Sequence, residues 1–162
     1  MERIWAPWRT VYIGKDHGDI CIFCDKLQSD KDVENYVLYR GERVFVLLNL
    51  YPYNNGHLLI APKRHVGDVT DLTPEELLEL GLTTQKMTAL LRRAFNPDGF
   101  NIGVNLGRIA GAGVPGHFHI HIVPRWGGDT NFMPVLGDVR VISEALDLTY
   151  QKLKEAMAAT DM

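Results

Sequence analysis

Ten consecutive residues, His117-Phe118-His119-Ile120-His121-Ile122-Val123-Pro124-Arg125-Trp126, begin by alternating imidazole with apolar side chains. Residues at i, i+2 and i+4 of a β-strand share one face. A strand from His117 to Val123, closed by Pro124, would therefore line one side with His117, His119 and His121. Phe118, Ile120 and Ile122 would bury the other side. Three imidazoles in a row are costly if merely structural, because each buried ring needs hydrogen-bond partners. The bland alternative is a surface row or an adventitious metal site. The preceding segment, from Asn105 to Gly116, reads NLGRIAGAGVPG and carries four glycines. Closely spaced glycines allow tight turns whose backbone amides converge on an anion, although glycine-rich loops are common for other reasons. Beside an imidazole row, such a loop points to phosphate. A neutral imidazole attacks phosphorus when its remote nitrogen is held by an acceptor.

The rest of the chain supplies a scaffold for that strand. Residues 36–39 and 43–50 are rich in β-formers and are separated at Gly41, which suggests a hairpin. Residues 57–61 read as a third strand ended by Pro62. Thr73-Pro74-Glu75-Glu76 announces a helix: a hydroxyl at the N-cap, proline at the first position and glutamate at N3. Leu77, Leu80, Thr84, Met87, Leu90, Leu91 and Ala94 form its apolar stripe, and Asn96-Pro97 stops it. A fourth strand is expected from Phe100 to Leu106. Ser143 is placed to cap a last helix with a stripe of Leu146, Tyr150, Leu153 and Met157. The pattern predicts an α+β fold with an antiparallel sheet of about five strands, one long helix and a C-terminal helix. No repeat or interdomain linker is apparent, so one domain is expected over residues 1–162. It divides into an N-terminal segment (1–35), irregular but held by Trp5, Pro7, Trp8 and Tyr12, a core (36–126) and an extension (127–162).

Composition narrows the partners. Seventeen basic against twenty acidic residues give a net charge of −3, so no bulk positive field advertises nucleic acid or an anionic membrane. A small basic pocket for a phosphorylated molecule remains compatible with that balance. No apolar run suits a bilayer crossing, the start MERIWAPWRTVY does not read as a signal peptide, and two cysteines cannot build a disulfide framework. A reducing cytoplasm is the expected compartment.

The two cysteines, Cys21 and Cys24, have the spacing of a two-thiolate metal clip; alone, the pair could also be a redox couple or two unrelated small residues. His65 follows the third strand and could face back toward the chain start. With His117 it would complete a closed, structural Cys₂His₂ set rather than a catalytic one. His17 has no such context and is expected at the surface.

From Cys21 to Trp126 the sequence resembles the histidine triad superfamily, whose signature is His-x-His-x-His followed by hydrophobic residues. These are small nucleotide hydrolases and transferases related to galactose-1-phosphate uridylyltransferase. WAPWR, the stretch GFNIGVNLG…AGAGVPGHFHIHIVPRW and GGDTNFM are most similar to the fragile-histidine-triad-like branch, which includes bacterial diadenosine tetraphosphate phosphorylases. The resemblance implies that His119 is the nucleophile and that His121 contacts the transferring phosphate. It implies that His57, in GHLLI, supports the catalytic imidazole. Asn49 matches the residue at the ribose, and Asn105 the residue holding the phosphate or leaving group, the latter with one extra residue in the loop. It also implies a structural zinc on Cys21, Cys24, His65 and His117, and a homodimer whose sheets continue across the twofold axis. One position departs: many relatives carry Ser or Thr three residues before the first triad histidine, where this chain has Val114. The backbone from Ala112 through Gly113, Val114 and Pro115 to Gly116 is the expected replacement, through its amides.

The implied reaction is in-line attack by His119 on the α-phosphorus of a dinucleoside polyphosphate, then transfer of the nucleotidyl group to phosphate or water. A metal at the phosphates is optional, and magnesium is implied only as a companion of the substrate. Phe45, Leu47, Leu50 and Tyr51 are candidates for an apolar adenine pocket, with plain core packing an equal alternative. Arg125 and Trp126 could reach distal phosphates, or serve as a surface arginine and an interface tryptophan. The rival readings are a purine nucleoside phosphoramidate hydrolase, a non-catalytic nucleotide-binding protein and a simple zinc-binding protein.

Overall fold

The computed structural model describes residues 21–131, 136–137 and 141–160. Trp5, Trp8, Tyr12 and His17, together with Phe132 and Met133 of the GGDTNFM stretch, lie outside the described residues. Five strands form one sheet: β1 (Val37–Arg40), β2 (Val44–Leu48), β3 (Leu58–Pro62), β4 (Gly99–Val104) and β5 (Ile120–Arg125). Their order is β1-β2-β3-β5-β4, and every neighbouring pair is antiparallel. Among the described residues the α-helices that accompany them are α1 (Ile22–Gln28), α2 (Pro74–Phe95) and α3 (Leu146–Ala158). The expected α+β architecture is the one observed.

Period-two alternation divides the sheet into two apolar faces. Val44, Val46, Leu48, Leu58, Ile60, Phe118 and Ile122 pack with Leu80, Met87, Leu90 and Leu91 of α2 and Tyr150, Leu153 and Met157 of α3. On the opposite face, Phe45, Leu47, Leu59 and Ala61 pack with Phe23 of α1. β2 is therefore buried on both sides, which is why its sequence VFVLL is an unbroken apolar run.

α2 begins and ends where its signals place it. The Thr73 hydroxyl accepts from the Glu76 amide and the Glu76 carboxylate accepts from the Thr73 amide, while Asn96 closes the helix in the left-handed region (φ 45°). Its buried stripe differs in detail. Leu77 is exposed, whereas Thr83 and Glu76 are buried on the helix's inner face, Glu76 accepting from the Arg64 guanidinium at 2.8 and 3.0 Å.

Three other expectations are corrected. The segment after Cys21 is helical rather than irregular, and Arg40 of β1 holds its end by donating to the carbonyls of Leu27 and Ser29 at 2.8 Å each. Ala145, not Ser143, occupies the N-cap of α3, without a side-chain cap. The histidine strand starts at Ile120 rather than His117. In the register that pairs Ile60 with Ile120, Phe118 would face Pro62, which has no N–H to donate. The Phe118 amide donates instead to the Val66 carbonyl at 2.6 Å. β5 also runs past Pro124 to Arg125. Its pairing with β3 stops at Ile122, so the missing N–H breaks no ladder there.

Candidate active site

His117, His119 and His121 point to the α1 face of the sheet, and strand or near-strand backbone sets their spacing. Their hydrogen bonds fix which nitrogen of each ring carries the proton. The Tyr53 backbone N–H donates to His57 Nδ1 at 3.0 Å, with Asn49 Nδ2 3.3 Å from the same nitrogen. Nδ1 of His57 is therefore an acceptor, and its proton resides on Nε2. That Nε2–H donates to His121 Nδ1 at 2.9 Å. His121 in turn carries its proton on Nε2, a buried nitrogen with no hydrogen-bond partner among the described residues. A buried donor left unpaired is costly, and here it leaves the site one N–H with its donating capacity unused.

His119 has the opposite tautomer. Its Nδ1–H donates to the His117 carbonyl at 2.8 Å, leaving a bare lone pair on Nε2. Burial pushes the His119 imidazole below its ordinary value, against the pull of that carbonyl. His121 is pushed to about 4, first by burial and then by His119. Both rings are thus neutral near neutral pH. The site has a nucleophilic lone pair on one ring and an N–H donor on the ring beside it, with centroids 4.8 Å apart.

The remaining predicted positions are distributed unevenly. Asn49 directs its oxygen to the Tyr51 amide (3.0 Å) and its nitrogen to His57, so it braces the histidine chain from beneath. Phe45 and Leu47 lie on the expected face, but both are buried in the cluster with Phe23, and neither offers surface to a base. Leu50 and Tyr51 are exposed. Asn105 stands at the start of the glycine loop, its Nδ2 about 4.0 Å from where a Cβ on Gly111 would lie. Gly111 has φ +93°, open to glycine and strained for other residues. Within the loop the Ala112 amide is taken by the Gly107 carbonyl (3.2 Å), so it is not among the amides directed at a ligand. Val114 packs against the α1-face cluster, and Pro115 and Gly116 lie against Gly67, where a Cβ would come within 3.0 Å of the Pro115 carbonyl. Arg125 is committed to Asp129, through two donations at 2.6 and 2.8 Å, and to Asn101.

Two residues of the site carry no signal in the sequence pattern. The Tyr53 ring stacks on His121 (5.7 Å, 12°) and tilts onto His57. The Phe23 ring lies against both His117 and His119. Neither belongs to a periodic run, and their contacts arise only once the loop and α1 close over the sheet.

At the base of the row, Cys21, Cys24, His65 and His117 bring one donor atom each within 4.8 Å of one another. His117 donates its Nε2–H to the Pro62 carbonyl at 2.8 Å, which leaves Nδ1 bare and facing the sulfurs. The sulfur-to-nitrogen separations are 3.2 and 3.7 Å to His117 and 3.4 Å to His65. Metal–sulfur and metal–nitrogen bonds of about 2.3 and 2.0–2.1 Å give a tetrahedral edge of about 3.6 Å. Burial and the neighbouring Cys21 push the Cys24 thiol up, a penalty that a cation between the sulfurs would relieve. The donor set fits a tetrahedral zinc.

Residues 30–128 match the HIT domain family model. The chain is 39% identical over 154 residues to the AP-4-A phosphorylase of Mycobacterium tuberculosis, spanning 90% of this chain and 79% of that protein. It is 40% identical over 92 residues to the bis(5'-adenosyl)-triphosphatase of Dictyostelium discoideum, covering 57% of this chain and 61% of that protein. Among solved structures, a zinc-bound histidine triad family protein from Mycobacterium smegmatis superposes with a TM-score of 0.70 and 29% identity, over 87% of this chain and 95% of that one.

Proposed function

The chain belongs to the HIT domain family, and on that premise we propose that it transfers a nucleotidyl group from diadenosine tetraphosphate or a similar dinucleoside polyphosphate through a covalent intermediate on His119. The observation that carries this reading is the pair of opposite tautomers, a bare Nε2 on His119 beside the unpartnered Nε2–H of His121. His119 Nε2 attacks the α-phosphorus in line, the bond to the bridging oxygen breaks, and ATP departs as the anion. The Nδ1 proton stays on the imidazole, held by the His117 carbonyl, so the phosphorylated ring is cationic. His121 donates to a non-bridging oxygen as charge shifts onto it. His57, fixed by the Tyr53 amide and Asn49, keeps His121 in the tautomer that can donate.

Inorganic phosphate is the acceptor of the second step. It attacks the same phosphorus, releases His119 and forms ADP. What supports phosphate over water is the similarity to the M. tuberculosis phosphorylase across most of the chain. Magnesium enters with the polyphosphate. Cys21, Cys24, His65 and His117 hold a structural zinc, supported by the donor geometry and the zinc-bound M. smegmatis relative. Held by these four side chains, a zinc ion would play a structural part, and the four residues would brace the segment that precedes β5. The protein acts as one domain over residues 1–162, in the cytoplasm and as a homodimer. Consistent with this, both cysteines are free, and β4 leaves Ile102 and Val104 exposed along the sheet edge. No described helix is long and apolar enough to cross a membrane.

The test is to supply diadenosine tetraphosphate with and without inorganic phosphate and identify the products. ADP with ATP, formed only when phosphate is present, is expected. AMP with ATP in its absence makes water the acceptor, and no turnover of any dinucleoside polyphosphate rejects the reading.

A further inference from the structure

Phe23 lies between the two cysteines of the clip, on the first turn of α1, and is only 1% exposed. Its ring centroid is 4.9 Å from His117, tilted 36°, and 4.9 Å from His119, tilted 37°. Among the described residues no other aromatic ring touches both a candidate metal ligand and the candidate nucleophile. Among the described residues one hydrogen bond, from Nδ1 to the His117 carbonyl, ties the His119 ring, and the rings of Phe23 and His121 pack against it. Phe23 supplies the wall on the α1 side of that ring.

The position of that wall is set from both ends of α1. Arg40 grips the carbonyls of Lys26, Leu27 and Ser29 at the far end. At the near end, Cys21 and Cys24 flank Phe23 in sequence and converge on His117 and His65. Drawing the four donors onto one ion would fix the first turn of α1, and with it the ring between the cysteines.

We infer that Phe23 is a positioning residue that holds the His119 ring in its attacking plane and makes that plane respond to metal at the Cys21–Cys24 clip. The inference rests on the reading of His119 as nucleophile. It differs from a general stabilising role because it predicts that communication from the clip to His119 runs through the Phe23 ring, beside the route through the His117 carbonyl. A displacement of the nucleophile by a fraction of an ångström lowers the rate of attack without a matching change in substrate affinity.

The test uses the full chain loaded with zinc, comparing wild type with Phe23→Leu, which keeps most of the apolar volume but not the flat ring, and with Phe23→Ala. Three quantities are read: zinc per chain, kcat and KM on diadenosine tetraphosphate, and the nitrogen resonances of the His119 imidazole by NMR before and after chelation. In wild type, chelation is expected to move the His119 resonances. In Phe23→Leu, one zinc per chain is retained, the His119 resonances are displaced already in the zinc form, and chelation no longer moves them. kcat falls about tenfold or more with KM held within about twofold. Wild-type resonances in Phe23→Leu, or an undiminished response to chelation, overturn the inference. So does loss of zinc from that variant, which makes Phe23 a support for the clip alone, or a rise in KM at constant kcat, which makes it a substrate contact. If Phe23→Ala fails to fold, Phe23→Leu decides. Should wild type leave the dinucleotide intact, the functional reading fails, while the His119 resonances still report whether metal and ring are coupled.

Discussion

In the proposed mechanism His57, Asn49 and the Tyr53 amide form a hydrogen-bonded chain that ends on His121, and the geometry ranks its members. Replacing His57 with Phe removes the proton that fixes His121, so its Nε2–H is no longer assured; kcat should fall about 10²-fold, with a smaller change in KM. Asn49→Ala leaves the Tyr53 amide on His57 Nδ1 and should cost less, roughly 3- to 10-fold. Steady-state kinetics on the two variants check the order, and a reversed order contradicts the chain of donors. His121 also has a stability signature. Burial takes its pKa from about 6.5 to about 4, so the unfolded chain takes up a proton first as pH falls. The protein should lose stability between those two values and no further below them. Denaturation midpoints measured across that range should show a shallower slope in His121→Asn than in wild type.

At the scale of elements, the capping box and its neighbour Arg64 carry the long helix. Thr73→Ala should cost about 1 kcal/mol by denaturant unfolding. Glu76 is held below its ordinary carboxylate value chiefly by the Arg64 guanidinium, against its own burial. The stability it lends is complete above about pH 4.5 and is lost as pH falls through its lower folded value. Glu76→Gln should remove that part of the acid dependence, which melts taken from neutral pH down to about pH 3 would measure. This helix was legible in the sequence because Thr73, Pro74, Glu76, Asn96 and Pro97 act on their own neighbours. So was the face of the sheet that carries the imidazoles, since alternation survives even where the strand ladder does not. Local reading failed wherever a distant partner decides the outcome. Arg40 ends α1 from another strand, Pro62 halts the pairing that would have extended β5 to His117, and Arg64 draws Glu76 inward. The tautomers depend on the Tyr53 amide and the His117 carbonyl, which no side-chain pattern announces.

For the whole molecule, the sheet separates support from chemistry. One face is closed by α2 and α3, and the other holds the histidines beneath α1, joined to the body at the Cys21–Cys24 clip. Metal removal should therefore act mainly on the second face. Zinc at a thousandfold excess over its Kd contributes about 4 kcal/mol to stability, so chelation should lower Tm and zinc should restore it. Cys21→Ser should lower Tm likewise and lose the response to added zinc. The central claim, that the His119 Nε2 lone pair forms a bond to phosphorus, is tested most directly by trapping that bond. Diadenosine tetraphosphate labelled at the α-phosphate is mixed with the protein without inorganic phosphate, quenched in alkaline denaturant within a single turnover, digested and mapped by mass spectrometry. An adenylyl group on the peptide containing His119, absent from His119→Ala, is the predicted result. Full turnover in His119→Ala, or label on a different residue, would contradict it.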